Sequence, residues 1–173
     1  MAKRGLFPGT FDPVTLGHIN IMERGLRVFD ELVIAVADQH RKNPIFDAKS
    51  RIDMIRHSLP DGIKNQIQIE VFRELQVEFA RKKGITIIIR GLRVLSDFEY
   101  EFQIASMNQR LAPELETIFL APQPRYSFIT STMVKEVARY GGDLTGLVSP
   151  YVAKRLQEYY GIAFGDKIKR KDS

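Results

Sequence analysis

Short apolar runs alternate along this chain with longer segments that repeat apolar residues at helical spacing. The clearest run is Ile-Thr-Ile-Ile-Ile at residues 85–89, a β-branched stretch typical of a parallel strand buried on both faces. Four further runs have the same character, at residues 5–7, 32–37, 67–72 and 117–121. We therefore predict five strands, with residues 85–89 at the centre of their sheet.

Helical periodicity fills the intervals between these runs. Asp47 is a suitable N-cap, and Gly84 and Gly141-Gly142 are suitable helix ends. The predicted helices cover residues 17–29, 47–58, 74–83, 96–110, 131–140 and 149–160. Strands separated by helices predict an α/β fold, namely a single-domain, Rossmann-like, doubly wound parallel sheet of five strands with helices on both faces. We expect this domain to cover residues 1–163 and a basic, flexible tail to cover residues 164–173.

Composition narrows the class of protein. The chain has 173 residues, of which 44% are hydrophobic and 27% charged, as expected for one globular core. No apolar run reaches the ~18 residues that a membrane helix needs, so we predict a cytoplasmic protein without a membrane partner. The absence of cysteine excludes disulfides and thiol nucleophiles. A net charge of +5 favours anionic partners. A nucleic-acid-binding protein is one alternative, but no basic stripe is interleaved with aromatic residues.

The segment after the first strand reads Pro-Gly-Thr-Phe-Asp-Pro-Val-Thr-Leu-Gly-His at residues 8–18. Gly9 permits a close backbone approach or a positive φ, and Thr10 offers a hydroxyl and an amide. His18 lies in the first turn of a helix whose N-terminal amides favour phosphate. The helix end disfavours protonation of His18 and leaves a ring N–H to donate to a phosphoryl oxygen. The alternatives are a buried histidine bonded to backbone and ordinary turn chemistry.

Two arginines follow the strand at residues 85–89. Arg90 and Arg93 are costly to bury without an anionic partner, and a guanidinium can pair with phosphate oxygens through two hydrogen bonds. The alternative is a cluster of salt bridges with Asp97, Glu99 and Glu101.

A run of hydroxyl residues follows the last strand. Thr130-Ser131-Thr132 begins a helix, where hydroxyls and unpaired amides suit the β- and γ-phosphates of a nucleotide. The alternative is an N-cap with polar neighbours.

Together these segments resemble the phosphopantetheine adenylyltransferases. Thr-Leu-Gly-His at residues 15–18 matches the T-x-G-H signature of nucleotidyltransferases and class I aminoacyl-tRNA synthetases. The resemblance extends from about residue 3 to residue 160, and it departs from the family at Phe7 and at residues 74–76, where the family often has tyrosine and a small, aliphatic run. It implies transfer of AMP from ATP to 4′-phosphopantetheine, giving dephospho-coenzyme A and pyrophosphate. Another adenylyl- or cytidylyltransferase of the same superfamily is the nearest alternative.

The resemblance also implies roles for individual residues. His18 would stabilise the transition state, and the acceptor would be bound by Thr10, Lys42, Gln76 and Arg90. The residues expected to bind ATP are Thr10, Phe11, His18, Gly91, Leu92, Arg93, Glu101, Tyr126, Ser127, Phe128, Ile129, Thr130, Ser131 and Thr132. Mg²⁺ is expected with ATP and, because no carboxylate cluster has ligand spacing, we expect phosphates and water to hold it rather than a protein metal site. Assembly as a homohexamer and feedback inhibition by coenzyme A are further expectations from resemblance.

Overall fold

The structure, a computed structural model, describes residues 2–38, 43–93 and 95–162. The tail predicted at residues 164–173 and Lys42 lie outside the described residues. The strands are β1 (Arg4–Gly9), β2 (Glu31–Ala37), β3 (Ile67–Phe72), β4 (Ile87–Gly91) and β5 (Glu116–Leu120). The α-helices are α1 (Leu16–Gly25), α2 (Ala48–Ser58), α3 (Gln76–Lys83), α4 (Leu95–Leu111), α5 (Ser131–Arg139) and α6 (Pro150–Tyr160), and short 3₁₀ helices cover Asp61–Gln66 and Pro124–Tyr126.

The strands form one parallel sheet in the order β3-β2-β1-β4-β5. The predicted fold class is therefore confirmed. The prediction that residues 85–89 form the centre of the sheet is wrong, because β1 is central and β4 lies beside it. A continuous apolar run indicates that a strand is buried on both faces of the sheet. Every inner strand of a doubly wound sheet is buried in this way, so the run does not identify the central strand. Ile85 lies before β4, in the turn where its amide donates to the carbonyl of Ala80 in α3.

Side chains of β2 alternate between two separate cores. Leu32, Ile34 and Val36 face a larger core that includes side chains from α1, α2, α5 and α6. Val33 and Ala35 face a smaller core with α3 and the segment after α4. This two-residue alternation, with apolar residues at both phases, is why the strand pattern in the sequence is continuous. It also confirms helices on both faces of the sheet.

Local signals explain where several helices begin and end. Asp47 caps α2 by accepting a hydrogen bond from the amide of Ser50, as predicted. Gly84 ends α3 with φ of 60°, a left-handed conformation that glycine adopts at low cost. α1 ends at Gly25, four residues before the predicted Phe29, because residues 26–29 form turns that place the Phe29 ring in the core. Among the helices in the described ranges, none is long and apolar enough to cross a bilayer.

Candidate active site

A cleft of about 740 Å³ opens beyond the carboxyl ends of the strands, where the strand order reverses between β1 and β4. Ligands of open parallel sheets bind at this position because neighbouring connections leave the sheet in opposite directions there. The three segments singled out in the sequence meet in this cleft. Its walls include the predicted residues Thr10, Phe11, His18, Gln76, Arg90, Gly91, Arg93, Glu101, Ile129, Thr130, Ser131 and Thr132.

Four other predicted ATP-binding residues do not line the cleft. Leu92 lies just past β4, where its amide donates to the carbonyl of Leu120 at 2.9 Å. Tyr126, Ser127 and Phe128 belong to the connection before α5, and the side chain of Phe128 is 54% exposed. Ile129, the last residue of this connection, does line the cleft, and ATP binding by the other three residues stays a prediction.

His18 is held by a reciprocal hydrogen-bonded cap at the start of α1. The Thr15 amide donates to His18 Nδ1 at 3.0 Å, and the His18 amide donates to Thr15 Oγ1 at 3.4 Å. A backbone amide can only donate, so Nδ1 must be an unprotonated acceptor and the proton of the neutral ring must lie on Nε2. The cap therefore selects the tautomer whose Nε2–H can donate to a ligand oxygen.

The pKa of His18 is lowered from its ordinary value of 6.5 to about 4. Burial in the cleft wall is the larger cause, and the positive charge of Arg93 is the second. The direction predicted from the sequence is therefore confirmed, but its causes are burial and Arg93 and not the helix end. A neutral ring at physiological pH acts as a hydrogen-bond donor and not as a fixed positive charge.

Phe11 shapes the loop between β1 and α1. Its φ of 52° is unusual for a bulky residue, and its ring is buried against Phe7 and His18 in edge-to-face contacts. A Cβ on Gly9 would lie 2.9 Å from this ring, so glycine is needed at residue 9 to make room for Phe11. The Phe11 ring thus packs under the loop as part of the core.

Both arginines of the third segment pair with carboxylates. Arg90 donates to both oxygens of Glu101, at 2.6 and 2.8 Å, and to the carbonyl of Pro8 at 3.2 Å. Arg93 donates to Asp97 at 3.0 Å and to the carbonyl of Ile129 at 3.3 Å. The alternative of a salt-bridge cluster is therefore present in part. A guanidinium has five N–H donors, so neither arginine is saturated by the partners that the described residues provide.

The hydroxyl groups of Thr130 and Ser131, at the start of α5, form hydrogen bonds within the protein. Thr130 is the N-cap and accepts a hydrogen bond from the amide of Met133 at 3.0 Å. Ser131 Oγ donates to the carbonyl of Pro13 at 2.8 Å, which ties α5 to the loop after β1. The groups best placed for an anion are consequently the first-turn amides of α5, which an α-helix leaves without intrahelical partners.

Three cleft residues were missed as functional candidates. Asp12 is 4% exposed, and its carboxylate accepts from the amides of Ile45 and Phe46 and from Lys135 Nζ, all at 3.0–3.1 Å. Lys135 of α5 also lines the cleft. Asn108 of α4 is 5% exposed and binds Gln76 through Oδ1 at 2.9 Å. A polar residue on the buried side of a helix was the available signal for Asn108.

The fold and cleft together define a nucleotidyltransferase of the cytidylyltransferase-like class. The cytidylyltransferase-like family model matches residues 6–137. A nicotinic acid mononucleotide adenylyltransferase from Plasmodium falciparum superposes with a TM-score of 0.66 at 13% identity, covering 93% of this chain and 96% of that chain. A bifunctional NMN adenylyltransferase/ADP ribose pyrophosphatase from Francisella tularensis gives 0.66 at 17% identity, covering 93% of this chain and 51% of that chain. At these identities the likeness shows the fold alone.

Sequence relatives define the family more narrowly. The phosphopantetheine adenylyltransferase of Dictyoglomus turgidum is 48% identical over 159 residues, which is 92% of this chain and 98% of the relative. The protein of the same name from Thiobacillus denitrificans is 46% identical over 153 residues, covering 88% of this chain and 94% of the relative. The chain belongs to the phosphopantetheine adenylyltransferase family.

Proposed function

We propose that this chain transfers AMP from ATP to 4′-phosphopantetheine, giving dephospho-coenzyme A and pyrophosphate, a step in coenzyme A synthesis. The observation that carries the proposal is the convergence of three phosphate-suited segments, led by Thr10, Arg90 and the first turn of α5, on one cleft. The identity of 46–48% with relatives of that name, over most of both chains, supports this substrate pair.

The reaction needs placement and charge stabilisation more than a chemical group from the protein. An oxygen of the acceptor phosphate attacks the α-phosphorus of ATP and forms a new P–O bond. The bond from that phosphorus to the bridging oxygen breaks, and its electron pair leaves with pyrophosphate. A phosphate dianion is already a nucleophile, so no general base is required. Hydrogen-bond donors that are already in place can then stabilise the charge that develops on the transferring group.

Individual donors divide between the two substrates. His18 Nε2–H, Arg93 and the first-turn amides of α5 would hold the ATP phosphates, with His18 as the transition-state stabiliser. Thr10 and Arg90 would hold the acceptor phosphate, together with Lys42. The fixed tautomer and lowered pKa of His18 support its role, because they keep one N–H donor in a constant orientation.

The pantetheine arm would lie along α3 and α4. Asn108 Nδ2 is buried without a hydrogen-bond partner among the described residues, although Oδ1 accepts from Gln76. An amide carbonyl of the arm would satisfy this donor, since an unpaired buried N–H is costly. Leu75, Tyr100 and Met107 add apolar surface to the same part of the cleft. Coenzyme A carries the same arm, so it would compete for this region as a feedback inhibitor.

Magnesium would arrive with ATP and be held by phosphate oxygens and water. Within the described residues, no group of three or more histidine or acidic side chains is arranged to hold a metal ion. The most buried carboxylate in the cleft, that of Asp12, already accepts hydrogen bonds from two amides and from Lys135. Asp12 is therefore a poor ligand for Mg²⁺, which demands near-ideal octahedral geometry.

Assembly and location complete the proposal. Phe98 and Phe102 of α4 are stacked and 42% and 55% exposed, which favours burial against other copies in a homohexamer. Light scattering on the purified chain tests this, and a monomer would contradict it.

The proposed location of the activity is the cytoplasm, and cell fractionation followed by immunoblotting tests that location.

The function is tested by incubating the chain with ATP, Mg²⁺ and 4′-phosphopantetheine and analysing the products by mass spectrometry. We expect dephospho-coenzyme A and pyrophosphate in equal amounts. Parallel reactions with nicotinate mononucleotide, and with CTP and an alcohol phosphate, test the nearest alternatives. His57→Ala, at an exposed histidine of α2 away from the cleft, is the matched control for His18→Ala. Turnover of a different acceptor in place of phosphopantetheine would overturn the proposal.

A further inference from the structure

Arg51 occupies a position in α2 where the helix pattern calls for an apolar residue. It shares the buried face of the helix with Met54 and Ile55, and none of its surface is exposed. Replacing a buried charge by apolar groups is often neutral or stabilising, so the stability of the core does not by itself account for arginine here. Arg51 also does not line the cleft. Its role must therefore come from the groups that it binds.

The guanidinium of Arg51 joins three chain segments. Nε donates to the carbonyl of Phe46 at 3.0 Å, and Nη1 donates to the carbonyls of Thr10 at 2.6 Å and Ala37 at 2.8 Å. Thr10 follows β1, Ala37 ends β2, and Phe46 lies just before α2. Carbonyls at the ends of adjacent parallel strands have no further strand partner, and Arg51 supplies the donors that they lack.

Asp12 holds the same region from the other side. Its carboxylate accepts from the amide of Phe46, whose carbonyl is bound by Arg51, and from the amide of Ile45. Asp12 also binds Lys135 of α5. Phe46 is thus fixed at both its amide and its carbonyl, and the network links the loop after β1 to the entry of α2 and to α5.

We propose that Arg51 is a positioning residue that fixes the backbone of Thr10, and with it the cleft wall formed by the loop after β1. The inference rests on the proposed function, because Thr10 matters there as a donor to the acceptor phosphate and the α-phosphate. In-line attack tolerates little displacement of the two phosphates, and an error of about 1 Å can cost roughly a hundredfold in rate.

Lysine cannot replace arginine in this arrangement. The three bonds leave from two nitrogens of a planar fork, whereas lysine presents all its donors at a single atom. Arg51→Lys therefore keeps a positive charge that interacts with Asp12 and with Asp38, whose carboxylate lies 3.9 Å from Nη2, but it cannot reach all three carbonyls. Met54→Ala is the matched control, since Met54 is equally buried in the same helix and belongs to the apolar core.

The test compares full-length wild type, Arg51→Lys and Met54→Ala, each assayed at the same distance below its own Tm. We expect Arg51→Lys to lower kcat by about tenfold to a hundredfold with less than about a threefold change in the KM for ATP, and Met54→Ala to stay within about twofold of wild type. Amide hydrogen exchange at Ile45 and Phe46 should be about tenfold faster in Arg51→Lys than in Met54→Ala, because Asp12, which accepts hydrogen bonds from these two amides, lies in the loop that Arg51 no longer fixes.

The outcomes separate the two proposals. If wild type forms dephospho-coenzyme A and Arg51→Lys retains its kcat, the positioning role is wrong. Equal losses of kcat in both variants also contradict it, because the effect would then follow stability alone. If wild type forms no dephospho-coenzyme A, the proposed function fails. The exchange rates at Ile45 and Phe46 then still decide whether Arg51 fixes the loop after β1, because Asp12 of that loop binds both amides.

Discussion

Substitution of His18 separates its two roles in the structure. The ring accepts the Thr15 amide through Nδ1 and offers the Nε2 proton to a ligand. His18→Ala removes both. Loss of one donor that is already in place lowers kcat by about 10² to 10³, or about 3–4 kcal/mol. The Thr15 hydroxyl still caps the helix in this variant, so loss of the hydrogen bond to the His18 ring costs at most about 1 kcal/mol of unfolding free energy, which corresponds to a fall in Tm of at most roughly 2–4 °C for a domain of this size.

His18→Gln is the matched comparison. Glutamine at the third position of a helix can accept the amide of the capping residue, so this variant should recover the Tm. It should not recover kcat, because its amide lacks the geometry of the Nε2–H donor. Steady-state kinetics with both substrates and thermal unfolding measure the two effects. The reasoning is refuted if His18→Ala retains kcat within about threefold of wild type, or if His18→Gln restores rate and stability together.

Three further predictions follow from the same structure. The pKa of His18 is about 4 in the folded state and about 6.5 in the unfolded chain, so unfolding takes up a proton at any pH between these values. Wild type should therefore lose unfolding free energy relative to His18→Gln as the pH falls from 6.5 to about 4, as measured by denaturant titration. Arg90→Ala should weaken acceptor binding by roughly tenfold to a hundredfold and ATP binding less, as measured by calorimetry, and equal losses would contradict the assignment. Gly9→Ala should destabilise by about 1–3 kcal/mol through overlap with the Phe11 ring, whereas Gly62→Ala, where a Cβ meets no atom within 4 Å, should stay within about 0.5 kcal/mol.

The sequence was sufficient to predict the parallel α/β fold and the convergence of its loops. The strands at residues 32–37, 67–72 and 117–121 match the structure to within about one residue, because apolar β-branched runs are local signals. The placement of Thr10, Arg90 and Ser131 in one cleft follows from a general property of parallel sheets, whose carboxyl ends share one edge.

The hydrogen-bond partners of individual side chains could not be predicted in the same way. Thr130 and Ser131 looked like phosphate ligands, yet their hydroxyls bond Met133 and Pro13. Arg51 in the sequence resembles any charged residue of a surface helix, and only its position against the ends of β1 and β2 shows that it is buried.

Local chemistry and chain pattern thus determined the fold class, the helix caps and the three segments suited to phosphate. Tertiary structure decided which donors remain available in the cleft, which tautomer His18 adopts and why an arginine is buried at residue 51. The physical reason is the distance along the chain over which each effect acts. Helix propensities and caps depend on a few neighbouring residues. Burial and hydrogen-bond partners depend on residues such as Thr10 and Arg51, which lie 41 positions apart and meet only after folding.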